Sequence, residues 1–261
     1  MRRHLKNLTD ISDMKGRKVG ERQKISTDMP DMKGRQVGRQ LKNRRHEPVA
    51  ELFMQLRFFI WGAGMKKYSK KEAIGIVAQA AKEYQQKYEQ RRFLLVCQGN
   101  DGSLYTEEAS FTAQNFLHLT GFKTDLCADV FYNACLNGKL SESDFRFDDH
   151  GNTHRKLSVL PYLKNLFYGK SLIGEFTTSG IRLYADYFVG DSRGIMCLGF
   201  KRAKNTSFPS TLYQGPIREV SNAAFKVLAV FSKHYKNREY EECIYIAHGQ
   251  DADSIRTELG M

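Results

Sequence analysis

The chain has 261 residues, of which 41% are hydrophobic and 27% charged, and these are ordinary values for a soluble globular protein. No stretch approaches the roughly 20 apolar residues of a membrane-spanning helix, so we expect a cytoplasmic protein with no membrane partner. The formal net charge is +12, and residues 1–64 supply +8 of it with 15 Lys and Arg against 7 Asp and Glu. A basic balance suits a nucleic-acid partner, but here it belongs mainly to the N-terminal tail.

The cysteines argue against a disulfide framework. They are odd in number, contain no CxxC pair and lie mostly in apolar segments, as reduced cysteines of a cytosolic core do: Cys97, Cys127, Cys135, Cys197 and Cys243. We therefore expect no disulfide and no zinc site. The motifs GxGxxG, GxxxxGK[ST] and HExxH are missing as well, which removes the usual support for a nucleotide cofactor or a zinc protease. No cofactor is expected.

The N-terminal tail contains a tandem repeat, because residues 9–20 recur with few changes as residues 27–38. With frequent glycine and almost no aromatic side chains, residues 1–46 lack the apolar surface to fold, and we expect them to be disordered. The repeat is a duplication without a role or, alternatively, a pair of linear motifs or a basic nucleic-acid arm. A short amphipathic helix is predicted over residues 48–61. The composition then changes so sharply at Met65 that we expect the native product to begin there, with residues 1–64 as a tail.

The folded part is predicted to begin with a helix. Ser69 and Glu72 have the spacing of a capping box, and apolar residues continue at helical spacing to about Gln90. An apolar strand follows over residues 93–97, then a Gly-Asn-Asp-Gly turn, then a second extended segment over residues 104–112. We expect these two strands to pair as a hairpin.

Residues 115–122, with the sequence NFLHLTGF, form the most distinctive stretch of the chain. An extended conformation would place Phe116, His118 and Thr120 on one face and the two leucines on the other, before Gly121 turns the chain. One face would then be buried while the other carries a histidine and a threonine. The alternative is that His118 is a hydrogen-bonded core histidine and Thr120 an ordinary strand residue.

The middle of the chain is predicted to be helical over residues 125–136, which end at an Asn-Gly stop, and over residues 156–167 despite Pro161. A polar segment between them carries side chains of the types that bind a divalent ion: Asp148, Asp149, His150 and His154. These residues are close together in one turn, and such a cluster is more often a solvated loop. We expect no metal site.

The remainder is predicted to be mostly strand, with a helix or loop around residues 210–222 and a C-terminal tail over residues 251–261. The strands are expected over residues 172–176, 181–188, 195–201, 225–232 and 242–247. The order of helix, hairpin, helices and then adjacent strands with short connections predicts an α+β fold with a largely antiparallel sheet over residues 65–250.

Several of these segments together resemble a group of phage and mobile-element nucleases, the fourth phage-associated group of the barnase, EndoU, colicin and RelE-like (BECR) class. They are NFLHLTGF, the strands FLLVC, LIGEF and CLGFKR, and the segment FPSTL. The resemblance covers roughly residues 68–248, and only the NFLHLTGF block is distinctive. It implies helices packed on a largely antiparallel RelE-like sheet, and a nuclease function.

Metal-free RNA cleavage needs a base for the 2′-hydroxyl proton, an acid for the leaving 5′ oxygen, and cations or donors that stabilise charge on phosphorus. Candidate catalytic residues lie near the ends of predicted elements: His118, Thr120, Lys201, Ser210 and Lys233. Candidate RNA-binding residues are Arg202, His234 and Tyr235. The strongest pair is His118, which the resemblance supplies, and Lys201, a cation after the CLGF strand. Each candidate also has a structural explanation, as a strand end, a helix cap or a polar turn.

We therefore expect a metal-independent endoribonuclease, a toxin or defence effector of a phage or mobile element, that leaves a 2′,3′-cyclic phosphate. Its substrate would be RNA, with tRNA or mRNA foremost, and an antitoxin or immunity protein would be a further partner. Two alternatives stay open. One is a non-catalytic RNA- or protein-binding module on the same fold, and the other is a DNA-binding accessory protein that uses the basic tail as its arm.

Overall fold

The structure, a computed structural model, describes residues 66–177, 183–204 and 206–261. The predictions for residues 1–64 lie outside the described residues. The described helices are α1 (Lys70–Lys87), α2 (Ala113–Thr120), α3 (Ala128–Leu136), α4 (Asn152–Val159) and α5 (Ala252–Leu259), with 3₁₀ segments at Leu160–Tyr168 and Ile217–Glu219. The described strands are β1 (Arg91–Gln98), β2 (Leu104–Phe111), β3 (Ser171–Glu175), β4 (Tyr187–Asp191), β5 (Met196–Arg202), β6 (Ser207–Gln214), β7 (Phe225–His234) and β8 (Glu242–Ile246). None of the helices in these ranges combines the length and the apolar character needed to cross a bilayer.

The strands form one sheet in the order β1-β2-β6-β5-β4-β3-β7-β8, and β1 also pairs with β7. The strands from β1 to β7 therefore close into a ring, to which β8 is added along β7. The pairings between described strands are antiparallel except where Ala109 of β2 meets Ser207 of β6 in parallel. The predicted α+β class with a largely antiparallel sheet is confirmed.

The main hydrophobic core lies on the inner face of this ring. Side chains alternate along a strand, so β1 contributes Phe93 and Leu95 to the main core, whereas Val96 packs with Ile255 of α5 on the outer face. Helices α1 to α4 join the main core, and aromatic rings form much of their contact with it: Tyr84, Tyr88, Phe111, Phe116, Tyr132 and Phe167.

Helix α1 begins as the sequence predicts. The Glu72 N–H donates to Ser69 Oγ at 3.2 Å, and the Ser69 N–H donates to Glu72 Oε2 at 2.8 Å, so the capping box is formed. The Tyr88 hydroxyl at the other end donates to the Leu163 carbonyl at 2.6 Å and fixes the helix against the first 3₁₀ segment. The hairpin of β1 and β2 that follows is also as predicted.

Residues 115–122 are mainly helical, so the prediction of an extended segment is wrong. Helix α2 follows Thr112, whose N–H and hydroxyl both donate to Asn115 Oδ1 at 2.9 Å, and it ends at Gly121, where φ is 72°. The buried positions of α2 have helical spacing: Phe116, Leu119 and Thr120. Residues two positions apart in an α-helix are separated by about 200° around its axis, so His118 and Thr120 do not share a face. His118 is exposed and Thr120 is buried.

Two further predictions are wrong in part. The helix expected over residues 156–167 is an α-helix only as far as Val159. It continues as a 3₁₀ segment, because Pro161 has no N–H for the carbonyl four residues earlier. The strand expected over residues 181–188 begins, in the described part, only at Tyr187. Just before it, the Asp186 carboxylate accepts from the Arg202 N–H at 2.8 Å.

Residues 210–222 were expected to be helix or loop, but strand β6 runs through Gln214 before a short 3₁₀ segment. Pro209 is tolerated in β6 because a β-bulge between Gly199 and Phe200 shifts the register beside it. Residues 251–261, predicted as a tail, contain α5. Its first turn is capped by Asp251, whose Oδ2 accepts from the Ser254 N–H at 2.8 Å.

Gly174 in β3 leaves no room for a side chain. A Cβ there would lie 2.4 Å from the Ala223 carbonyl oxygen and 2.4 Å from Ser221 Oγ. We expect Gly174→Ala to lower the free energy of unfolding by about 1–3 kcal/mol, the usual cost of overpacking. The control is Gly75→Ala in α1, where a Cβ would meet nothing within 4 Å, and where we expect a gain of roughly 0.5–1 kcal/mol. Urea unfolding measures both changes, and a Gly174→Ala variant as stable as the wild type would contradict this packing.

Candidate active site at the strand ends

Seven strand ends meet at one end of the ring. The pairings fix the strand directions, so β1, β3 and β5 end where β2, β4, β6 and β7 begin. Four polar side chains that we call the rim cluster gather there: Glu107 of β2, Glu175 of β3, Tyr187 of β4 and Arg202 of β5. Each is an even number of residues from a main-core residue of its own strand, and this places it on the inner face. Those core residues are Ala109, Ile173, Val189 and Leu198.

Arg202 is the centre of the rim cluster. Its guanidinium forms a bidentate pair with Glu175, with Nη1 3.0 Å from Oε2 and Nη2 2.6 Å from Oε1, and Nη2 also contacts Glu107 Oε1. The hydrogen bond with Glu175 is the largest of the effects that raise the pKa of Arg202, so the side chain stays charged. The side chains of Arg202, Glu175 and Glu107 are 40%, 60% and 19% exposed, so solvent reaches the cation.

Tyr187 lies beneath this guanidinium, with its ring centroid 4.9 Å from Arg202 Cζ. The residue is fully buried, and among the described residues its hydroxyl has no hydrogen-bond partner of good geometry. Burial raises the pKa of Tyr187, although Ser207 acts in the opposite direction, so the phenol keeps its proton. The buried ring therefore supports the guanidinium from beneath, and Arg202 is the group that faces solvent at this strand end.

Lys201 and Ser210 lie together on the outer side of the same strand end. Lys201 Nζ binds Asp186 Oδ1 at 2.5 Å and lies 4.9 Å from the ring centroid of Tyr184. The hydrogen bond from Lys201 lowers the pKa of Asp186. Ser210 Oγ is 2.5 Å from the Tyr184 carbonyl oxygen and 3.1 Å from that of Gly199. The structure therefore brings two of the predicted catalytic residues together, and it places Arg202 beside them on the inner face.

His118 lies on α2, outside the rim cluster. Its backbone carbonyl accepts a hydrogen bond from Lys156 Nζ at 2.6 Å. Burial lowers the pKa of Lys156 to about 8, and Asp148 acts against that change. A lysine with such a pKa can exchange a proton near neutral pH, and α4 brings this one to the backbone of the helix that carries His118. No motif in the sequence singled out Lys156.

Thr120 uses its hydroxyl within the fold. Its Oγ1 donates to the Leu117 carbonyl at 2.8 Å and accepts from the Phe122 N–H at 3.1 Å. This bond pair closes the C-terminal turn of α2 in the buried core. The catalytic role predicted for Thr120 would require the hydroxyl to leave both partners.

Lys233, His234 and Tyr235 lie where β7 ends, at the opposite end of the ring from the rim cluster. Lys233 Nζ donates to the Arg238 carbonyl at 2.8 Å and lies 4.3 Å from the ring centroid of Tyr240. Tyr235 is 48% exposed and its ring packs against His234. The three residues form a separate patch, and their catalytic and RNA-binding roles stay predictions.

The polar segment before α4 is used for hydrogen bonds to the backbone. Asp148 Oδ1 accepts from the N–H groups of His150 and Asn152, at 2.9 and 3.1 Å. His154 Nδ1 accepts from the Tyr68 N–H at 3.2 Å. In the part of the chain that the structure describes, no group of three or more His, Cys, Asp or Glu side chains is placed to hold a metal ion.

Thr120→Val and His118→Ala have different expected effects although the two residues lie on one helix. Thr120→Val keeps the shape but leaves the Phe122 N–H without its acceptor, so we expect a loss of about 1–3 kcal/mol in unfolding free energy. His118→Ala removes an exposed side chain, and we expect a change within about 0.5 kcal/mol. Melting curves measure both. A large destabilisation by His118→Ala would show that the histidine is structural after all.

The cleavage rate of the same His118→Ala variant tests the role predicted from the sequence. A general acid or base contributes roughly 10²- to 10⁴-fold, so an unchanged rate per folded molecule would contradict that role.

Glu107 and Glu175 were not among the residues selected from the sequence. Both are charged residues two positions from a core residue of their own strand, and hence on its core-facing side, and this is the one signal that could have pointed to them. The signal becomes useful only once the register is known, because Arg202 is 95 residues from Glu107 and 27 from Glu175 along the chain.

A fixed, solvent-accessible arginine at the strand ends of an α+β sheet is suited to bind and polarise a phosphodiester. Residues 76–249 match the model of a nuclease family described as phage-Barnase-EndoU-ColicinE5/D-RelE like nuclease4. The match covers about two thirds of the chain and includes the whole rim cluster, so the chain belongs to this family and the resemblance seen in the sequence is confirmed. Searches of curated proteins and of solved structures found no significant match.

Proposed function

We propose that this nuclease is a metal-independent endoribonuclease, with the rim cluster as its active site and the 2′-hydroxyl of RNA as the nucleophile. The observation that carries the proposal is Arg202, a permanent cation that two carboxylates hold in one orientation at a solvent-exposed strand end. The word phage in the description of the family supports a toxin or defence effector of a mobile element. We further propose tRNA or mRNA as the substrate, an antitoxin or immunity protein as a partner, and the cytoplasm as the place of action.

Glu107 is the proposed base. Its Oε1 contacts Arg202, and the described residues offer no partner to Oε2, whereas Glu175 uses both oxygens on Arg202. Glu107 would take the proton of the 2′-hydroxyl as the 2′ oxygen bonds to phosphorus. The bond from phosphorus to the 5′ oxygen then breaks, and that oxygen takes a proton from solvent water. The products are a 2′,3′-cyclic phosphate and a 5′-hydroxyl.

Arg202 would stabilise the charge that develops on the non-bridging phosphate oxygens through its positive charge and through the guanidinium N–H groups that Glu175 and Glu107 leave unused. Glu175 would hold Arg202 in place through its bidentate pair. Tyr187 keeps its proton because burial raises its pKa, and its ring supports the Arg202 guanidinium from beneath. His118 lies on a different element, and its proton-transfer role remains a separate proposal.

Substrates that lack a single 2′-hydroxyl test this proposal. The full-length chain is incubated with a labelled RNA oligonucleotide to map the cleaved bonds, and then with the same oligonucleotide carrying one 2′-deoxynucleotide immediately 5′ of the main cleaved bond. We expect cleavage of the first substrate with a cyclic phosphate end, and no cleavage of the substituted bond in the second. Equal cleavage of both would contradict attack by the 2′-hydroxyl.

One observation favours a second candidate function. Two carboxylates surround Arg202, and such ion pairs also occur as structural networks that bind no ligand. A non-catalytic RNA- or protein-binding module on the same fold would keep these pairs and lack the chemistry. It would retain RNA without cutting it, and Glu107→Gln would leave RNA binding unchanged.

A further inference from the structure

We propose that Tyr184 is a stacking platform for an unpaired nucleobase, on the outer side of the strand end whose inner side carries Arg202. This inference rests on the proposed ribonuclease function and narrows its substrate to single-stranded RNA or to an unpaired loop. The juxtaposition that carries it is an exposed aromatic ring in contact with Lys201, the residue that precedes the central cation of the rim cluster in β5.

Tyr184 is unusually exposed for an aromatic residue. At 68% it is the most exposed large hydrophobic residue in the described ranges. Lys201 Nζ lies over one face of the ring, 4.9 Å from the centroid, and solvent reaches the rest. An aromatic ring with an open face stacks on any base, because every base has a π-face of its own.

The backbone that carries the Tyr184 ring is held by hydrogen bonds and by burial of the next residue. The Tyr184 carbonyl oxygen is 2.5 Å from Ser210 Oγ, and the next residue, Ala185, is buried. The Asp186 N–H donates to the Phe200 carbonyl at 2.7 Å, and the Asp186 carboxylate binds Lys201. Because these contacts attach the backbone from Tyr184 to Asp186 to β5 and β6, little backbone freedom would be lost there when a base binds.

The charge and geometry of this strand end indicate the path of a bound RNA. Lys201 and Arg202 are consecutive in β5, so their side chains lie on opposite faces of the same strand end. A nucleotide whose base stacks on Tyr184 would pass its phosphate across the end of β5 towards Arg202. In a duplex each base is paired and covered by its neighbours, so only an unpaired base offers a free face to the tyrosine.

Binding without cleavage tests the inference. A short fluorescein-labelled 2′-O-methyl RNA has no free 2′-hydroxyl, and its affinity for the full-length chain is measured by fluorescence anisotropy. We expect Tyr184→Ala to weaken binding by roughly 5- to 150-fold, the usual worth of one base–aromatic stack, and Tyr184→Phe to bind like the wild type. The same oligonucleotide annealed to its complement should bind more weakly and respond little to Tyr184→Ala.

The matched control is Tyr162→Ala. Tyr162 is 42% exposed and has Arg193 Cζ 5.9 Å from its ring centroid, but it lies in the first 3₁₀ segment instead of beside β5, so we expect no change in affinity. If the wild type cleaves RNA but Tyr184→Ala binds as tightly as the wild type, the proposed stacking role of Tyr184 is wrong, whereas the ribonuclease function stands. A duplex bound as tightly as the single strand would also overturn the platform. If the wild type neither binds nor cleaves RNA, the proposed function fails and the platform fails with it.

Discussion

Replacement of Arg202 by alanine is expected to lower the rate of RNA cleavage by roughly 10²- to 10³-fold, the usual effect of removing one preorganised donor to a developing oxyanion. The reason is geometric as well as electrostatic. Glu175 and Glu107 hold the guanidinium with its donors in a fixed plane, and no other described cation contacts both carboxylates. Single-turnover cleavage of a labelled RNA, corrected for the folded fraction from a melting curve, measures the effect.

Two variants serve as controls for Arg202→Ala. Arg202→Lys keeps the charge but loses the bidentate fork, so we expect only partial recovery of the rate. Arg193→Ala also removes an arginine next to a carboxylate, since Arg193 Nε is 3.4 Å from Asp191 Oδ2, but this pair lies in the turn at the other end of β5 and should leave cleavage unchanged. Equal losses for Arg193→Ala and Arg202→Ala would point to a general effect of positive charge and not to a site.

Glu107→Gln should lower cleavage by roughly 10²- to 10⁴-fold, because it keeps the size of the side chain but removes the proposed general base. We expect little change in substrate affinity, so the loss should appear in the rate at saturating RNA. Glu175→Gln should reduce the rate less, because Glu175 positions Arg202 and takes no proton.

The neighbouring glutamate is the matched control for Glu107→Gln. Glu108 lies on the opposite face of β2, where it pairs with Arg92 at 3.0 Å and contacts the Tyr240 hydroxyl. Glu108→Gln should affect stability and leave the rate per folded molecule unchanged. A full loss with Glu108→Gln and none with Glu107→Gln would place the chemistry on the outer face of the ring.

Local signals predicted much of the fold. The pairing of Ser69 with Glu72 and the helical spacing after it are enough to specify α1, and the apolar residues of β1 predict a strand that pairs with β2. The prediction failed at α2 because the apolar pattern of NFLHLTGF fits the period of a strand as well as that of a helix. Phe116 and Thr120 agree with a two-residue repeat and equally with a spacing of four, and the capping hydrogen bond from the Thr112 N–H to Asn115 decides for the helix.

The site was harder to predict than the fold. Arg202 was selected from the sequence as a cation at a strand end, and the structure places it at the centre of the rim cluster. Its carboxylates come from two other strands, and a shift of one residue in either register would turn them to the opposite face. No sequence motif pointed to Tyr184, because its proposed role depends on the exposure of its ring and on the contact of its backbone with Ser210, and both are properties of the folded chain.

The most direct test of the proposed function is the incubation of full-length protein with labelled RNA in excess EDTA, with Glu107→Gln and Arg202→Ala in parallel. We expect the wild type to cut the RNA at a rate that EDTA does not change, to leave 2′,3′-cyclic phosphate ends, and to outpace both variants by at least about 10²-fold. RNA that stays intact in EDTA at high protein concentration, but is cut once Mg²⁺ is restored, would contradict a metal-independent ribonuclease.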